Sequence, residues 1–143
     1  MNQPLAPYQP DAFQKPGMVT AIAIMTLVNG ILNILWGLGI AVSLLLSLIG
    51  IFCLPIAAYP VVLGILEILY AVKLLSNPPR PVQPAMYLAV MEICDILLLD
   101  FISVVVGILA LVFYNDPAVQ VYFARINAPA QAHASHSPTV ASP

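Results

Sequence analysis

Apolar residues fill three blocks of the chain, 18–49, 56–75 and 82–114, and polar residues enter those blocks only singly. About 20 apolar residues cross the hydrocarbon core of a bilayer, so the first two blocks each predict a spanning helix. The segment "SNPPRPVQP" (76–84) ends the second block, because four prolines in nine residues cannot continue a helix. "IGIFCLPIAAYP" (49–60) divides the first two, with Pro55 and Pro60 expected in the loop and in the first turn of the second helix. The third block is ambiguous. As one helix it is about 50 Å long at 1.5 Å per residue, against a core of about 30 Å. As a hairpin it gives two helices of about sixteen residues, each barely spanning. Asp100 suits the N-cap of a helix that begins at Phe101, although no Gly or Pro marks a turn.

An internal repeat favours the hairpin. "GILNILWG" (30–37), "GILEILYA" (64–71) and "GILALVFY" (107–114) share one template, and "AVMEICDI" (89–96) is a weaker copy. One copy per helix implies four helices, near 18–42, 56–75, 83–98 and 101–115. Charge agrees, since cytoplasmic segments collect Lys and Arg. Four crossings put Lys15, Lys73, Arg80 and Arg125 on one side with both tails, whereas three crossings strand Arg125 on the other. The expected fold is therefore all-α: a polytopic transmembrane bundle of four helices over 18–115, three being the alternative, with both termini cytoplasmic.

Beyond the last block, "NDPAVQVYFAR" opens with helix-start chemistry, Asp116 as N-cap and Pro117 in the first turn. Val119, Tyr122 and Phe123 share a face and Arg125 follows. This predicts an amphipathic helix over 116–126 lying in the membrane interface, its aromatic rings at headgroup level. The flanks, 1–17 and 127–143, are rich in Pro, Gln, Ala and Ser and read as disordered tails.

Composition fixes the class. Charged residues make up 7% of the chain and apolar ones 62%, whereas soluble domains carry about 25% charged residues, so a water-exposed surface cannot be assembled. No Asp, Glu, Lys, Arg or His occurs from Pro16 to Leu66. Nucleic-acid binding needs clustered cations, and the four here are scattered. The expected surroundings are a lipid bilayer, in a cell membrane of bacterial inner-membrane type, with no cleaved leader.

Candidate chemistry then reduces to what polar groups do in lipid. Helices there associate through small residues and interhelical hydrogen bonds, because tails are as apolar as Leu. Gly30, Asn33 and Gly37 fall on one helical face, with Thr26 a turn earlier and Asn29 at its edge. Ala57, Gly64, Glu67 and Ala71 do so on the second helix, Ala85, Ala89 and Glu92 on the third, and Ser103, Gly107 and Ala110 on the fourth. These faces are expected to meet around a common axis, with Gly30, Gly64 and Gly107 as close-approach points. Asn33, Glu67, Glu92 and Asp95 are the expected interhelical polar groups. Burial disfavours a charged carboxyl, so Glu67 is expected neutral, bonded to Asn33 and setting helix register.

The main reading is a non-catalytic structural, assembly or accessory component that packs with itself or with a membrane partner. The alternative is a small ion- or proton-conducting subunit using Glu67, Glu92 and Asp95, since intramembrane acids mark ion paths. A third reading is an adaptor whose "QPLAPYQP" tail binds a soluble partner as an extended polyproline segment. No catalytic constellation, metal-ligand spacing or cofactor motif is expected. Cys53 and Cys94 read as small buried apolar residues, with a disulfide as the alternative in an oxidising compartment. Lys73 is expected to reach the headgroups, Trp36 and Tyr70 to pack or face lipid, and His133 and His136 to lie in a spacer.

"GILEILYAVKLL" together with "GILALVFYNDPAVQVYF" resembles small four-helix bacterial membrane proteins of unknown function with proline-rich cytoplasmic tails. The resemblance extends over 18–125. It implies the architecture above and brings no activity or site with it.

Overall fold

The structure, a computed structural model, describes residues 15–47 and 50–134. The stretches 1–14 and 135–143, which hold most of both expected tails, the "QPLAPYQP" motif and His136, lie outside the described residues. Among the described residues all regular structure is helical, in five α-helices and two 3₁₀ turns. Helix α1 spans Gly17–Leu45 and α2 spans Leu54–Leu75, joined by a connection that ends in the 3₁₀ turn Gly50–Cys53. At 1.5 Å per residue they are about 43 and 33 Å long. Both are long and apolar enough to cross a membrane.

The two prolines at the head of α2 act differently from expectation. Helix α2 starts at Leu54, so Pro55 sits in its first turn, where its missing N–H costs nothing. Pro60 lies inside the helix and is buried against α1 near Gly37. The glycines set the crossing. A Cβ on Gly30 would stand 2.7 Å from the carbonyl oxygen of Gly64, and one on Gly64 would meet that of Gly30. The two backbones therefore touch, and only glycine fits on either side.

The third apolar block is a hairpin. Helix α3 spans Met86–Cys94, tightens into the 3₁₀ turn Asp95–Leu98, and reverses at Leu99 and Asp100 into α4, Phe101–Tyr114. Leu99 takes a left-handed conformation (φ 61°), its N–H bonding Ile96 O and that of Asp100 bonding Asp95 O. Asp100 caps α4 by accepting from the N–H groups of Ile102 and Ser103, at 3.2 and 3.1 Å. Asp100→Ala is expected to cost about 1 kcal/mol, readable as a lower midpoint in SDS-titrated unfolding followed by circular dichroism.

This hairpin is shorter than expected. Its arms are about 20 Å each at ordinary helical rise, and neither crosses a membrane of about 30 Å by its own length. The tip, with Leu97 and Leu99 strongly exposed, stops beside the middle of α1. Beyond it the last turns of α1 face an apolar groove of about 770 Å³, lined by Trp36, Gly39, Ser43, Leu99, Asp100 and Phe101 among others.

Helix α5, Pro117–Ala134, leaves α4 through a 76° bend. Counting that bent pair as one span brings the helices able to cross to three. Asp116 caps α5 as expected, accepting from Ala118 N at 2.8 Å, and Pro117 is its first residue. Two expectations are corrected here. The aromatic face is not open: Tyr122 and Phe123 are both buried, with Val119 and Ile126, in the core, and Phe123 stands edge-on to Tyr114 of α4. The helix also runs past Asn127, where a disordered tail was expected. The Asn127 amide donates to Val82 O at 2.9 Å and ties α5 under the 76–85 connection. Arg125 stays exposed.

The hydrophobic core lies at this end of the molecule, where Val19, Ile22, Leu74, Leu88 and Tyr114 meet the buried face of α5. The same end holds the cations. Lys15 precedes α1 and donates to Leu74 O at 2.5 Å, closing a free carbonyl at the C-terminus of α2. Lys73 lies one residue before Leu74, Arg80 in the connection to α3, and Arg125 on α5.

Candidate functional site

The small and polar faces read from the repeat are the faces the fold buries. Thr26, Asn29, Gly30, Asn33 and Gly37 are all buried on α1. Ala57, Gly64, Glu67 and Ala71 are buried on α2, Ala85, Ala89 and Glu92 at α3, and Ser103, Gly107 and Ala110 on α4. Gly107 gives the short hairpin its close approach, since a Cβ there would stand 2.6 Å from Ala89 O and 2.9 Å from Glu92 Cβ.

Polar groups from all four helices converge where these faces meet. Glu67 is fully buried and accepts from the Asn29 amide at 3.2 Å and from the Asn33 amide at 3.2 Å on each of its oxygens. The amide oxygens turn the other way, toward α4. Ser103 Oγ lies 3.3 Å from Asn29 Oδ1 and 3.0 Å from Asn33 Oδ1. It is also 3.1 Å from Asp100 Oδ2. Glu92 sets its carboxyl within hydrogen-bonding reach of Glu67. Asp95 is fully buried beside Ser103, yet neither of its oxygens meets hydrogen-bond geometry, and the same holds for Glu92 Oε2. The four expected polar residues, Asn33, Glu67, Glu92 and Asp95, thus come together. Asn29, expected only at the edge, is a full member.

Ser103 is the residue that sequence reasoning undervalued. It counted only as a small packing residue, but its hydroxyl is the point at which the short hairpin engages both amides of α1. Its position one helical turn from Gly107 and three residues from the Asp100 cap was the available signal. A second cluster was missed entirely. Tyr114 Oη donates to Tyr70 Oη at 3.1 Å, and the Ala85 N–H reaches Tyr70 Oη at 3.3 Å. Tyr70 is therefore a buried link between α2, α3 and α4, whereas Trp36 is half exposed on the groove. Tyr59 adds a further tie, its hydroxyl donating to Met91 O at 2.9 Å.

The remaining candidates stand apart. Cys53 and Cys94 are free, and Cys94 is exposed rather than buried because it sits on the outer side of α3. Lys73 is exposed, whereas Glu67 is fully buried. Among the described residues no group of three or more His, Cys, Asp or Glu side chains is placed to hold a metal ion. No family model matches the chain, and neither does any curated protein or solved structure.

Proposed function

We propose that this chain is a non-catalytic integral membrane protein, a structural, assembly or accessory component that packs with itself or with a membrane partner. The observation that carries the reading is the cluster of Asn29, Asn33, Glu67 and Ser103, whose hydrogen-bonding side chains from α1, α2 and α4 all turn toward one another. The outward faces of the same helices are apolar, from Ile24, Val28 and Leu35 on α1 to Val105 and Val112 on α4. Such a molecule uses its polar groups to hold two hairpins in register, and offers its neighbours only packing surfaces.

Both hairpins are inserted from the side that bears Lys15, Lys73, Arg80 and Arg125, which the positive-inside rule makes cytoplasmic. The ends of α1, α2, α3 and α4 at that side coincide whether the short hairpin crosses fully or dips part-way. Both termini therefore share the cytoplasmic side, in a cell membrane. A reporter active only outside the membrane, fused after residue 126, is expected to stay silent, and a cytoplasmic reporter at the same point to be active. The opposite pair of signals would reject the topology. For the role itself, the test is what co-purifies in mild detergent. Glu67→Gln, which keeps shape and hydrogen bonding, is expected to retain the wild-type set of associated chains. Its loss in a folded Glu67→Gln protein would point to a role that needs the ionisable group.

A further inference from the structure

Glu67, Glu92 and Asp95 are buried side by side, and the groups packed on them supply too few hydrogens. Both amides of α1 are spent on Glu67. Ser103 has one proton and three oxygens already within reach. Nothing donates to Glu92 Oε2 or to either oxygen of Asp95.

Positive charge is equally short. Helix α1 brings no ionisable group to the cluster. Helix α2 brings Glu67 and Tyr59, whose proton already goes to Met91 O. The α3 arm brings Glu92 and Asp95, the tip brings Asp100, and α4 brings only Ser103. Tyr70 and Tyr114 are bonded to each other nearer the cationic end, and Lys15, Lys73, Arg80 and Arg125 are all at that end. A carboxylate can only accept, whereas a carboxylic acid also donates. The missing hydrogens therefore belong on the carboxyl groups.

We propose that Glu67, Glu92 and Asp95 form a proton-binding site, loaded from the apolar groove through Asp100 and Ser103. Asp100 lines that groove, and its Oδ2 lies 3.1 Å from Ser103 Oγ. Ser103 Oγ, which contacts the two amide oxygens and Asp100 but makes no hydrogen bond to Asp95, must turn toward Asp95 for the transfer. A proton passed from the Asp100 carboxyl to Oγ then releases the hydroxyl's own proton to Asp95. The hydroxyl is regenerated, and one proton has moved from Asp100 to Asp95. The Glu67–Glu92 pair then shares protons within the cluster. Toward the cationic end Leu88 on α3 and Ala110 on α4 are buried and apolar, and Thr26 on α1 is the buried polar side chain at that depth. Among the described residues no side-chain hydrogen bond joins the cluster to the tyrosine pair. The site is open on one side only, so it binds protons rather than conducting them across. This goes beyond the packing role, and the reporter fusions above are independent of it.

The test is infrared spectroscopy on the full chain in vesicles of phosphatidylcholine and phosphatidylglycerol. The expected result is a carboxylic-acid carbonyl band at neutral pH that shifts in D₂O and shrinks in Glu67→Gln and in Asp95→Asn. Asp100→Asn is expected to slow the deuterium shift about 100-fold, the lower end of what a positioned acid–base group contributes. Absence of the band from the wild-type protein overturns the proposal without recourse to any variant. So does a band that survives combined Glu67→Gln, Glu92→Gln and Asp95→Asn substitution. Loss of the wild-type band when choline chloride is replaced by sodium chloride at constant pH would assign the site to an alkali cation instead. Unchanged exchange in Asp100→Asn overturns the loading route.

Discussion

Gly64→Leu is expected to force α1 and α2 apart and to lower stability by about 3 kcal/mol, the upper end for overpacking a well-fitted site. The obstacle is backbone, which cannot swing aside: the added Cβ meets the carbonyl oxygen of Gly30, with Ile34 Cγ1 and Asn33 Cβ at 3.0 and 3.1 Å. The damage spreads, because Asn33 bonds Glu67 across the same contact at 3.2 Å. Separating the helices strips the acid of its amides. Gly39→Leu is the control. A Cβ at Gly39 meets nothing within 4 Å, so its cost is expected to stay within about 0.5 kcal/mol, the range of surface changes. SDS-titrated unfolding of both variants, followed by circular dichroism, checks the pair. Equal midpoints would mean that the Gly30–Gly64 contact does not determine how the helices pack.

The second large effect belongs to the acid itself. Glu67→Leu leaves the amides of Asn29 and Asn33 buried without an acceptor, and a stranded donor costs about 1–3 kcal/mol. A combined loss of about 2–4 kcal/mol is expected on that basis. Glu67→Gln retains an acceptor for them and should stay within about 1 kcal/mol of wild type, the scale of interhelical hydrogen bonds in lipid. The diagnostic variant is Glu67→Leu combined with Asn33→Leu. Removing both partners of a buried bond is far less costly than removing one, so the pair should recover part of the loss. Strict additivity of the two single changes, measured in the same titration, would remove the Asn33–Glu67 bond from the account of stability.

The inward faces were legible because lipid imposes a simple rule: where the surroundings are apolar, small and polar residues mark the protein side of a helix. The spacing of Gly30, Asn33 and Gly37, or of Gly64, Glu67 and Ala71, is enough to read it. The reversal between 98 and 101 was legible from Asp100 and the repeat, but the left-handed Leu99 that makes it was not. A leucine in left-handed conformation has no compositional signature, and it is held there by carbonyls of Asp95 and Ile96 that only the folded turn presents. Helix α5 shows a different limit. Its pattern shows that Val119, Tyr122 and Phe123 need cover, but periodicity is blind to whether lipid or protein supplies it. The Asn127–Val82 tie decides for protein. Ser103 escaped for want of a partner in view, since its role depends on two amides that lie 74 and 70 residues earlier in the chain.

The unequal hairpins give the molecule a taper. At the cationic end a cross-section cuts α1, α2, α3 and α4 with α5 alongside, whereas beyond the Leu97–Leu99 tip it cuts α1 and α2 alone. Seated in a bilayer, such a body displaces more lipid from one leaflet than from the other.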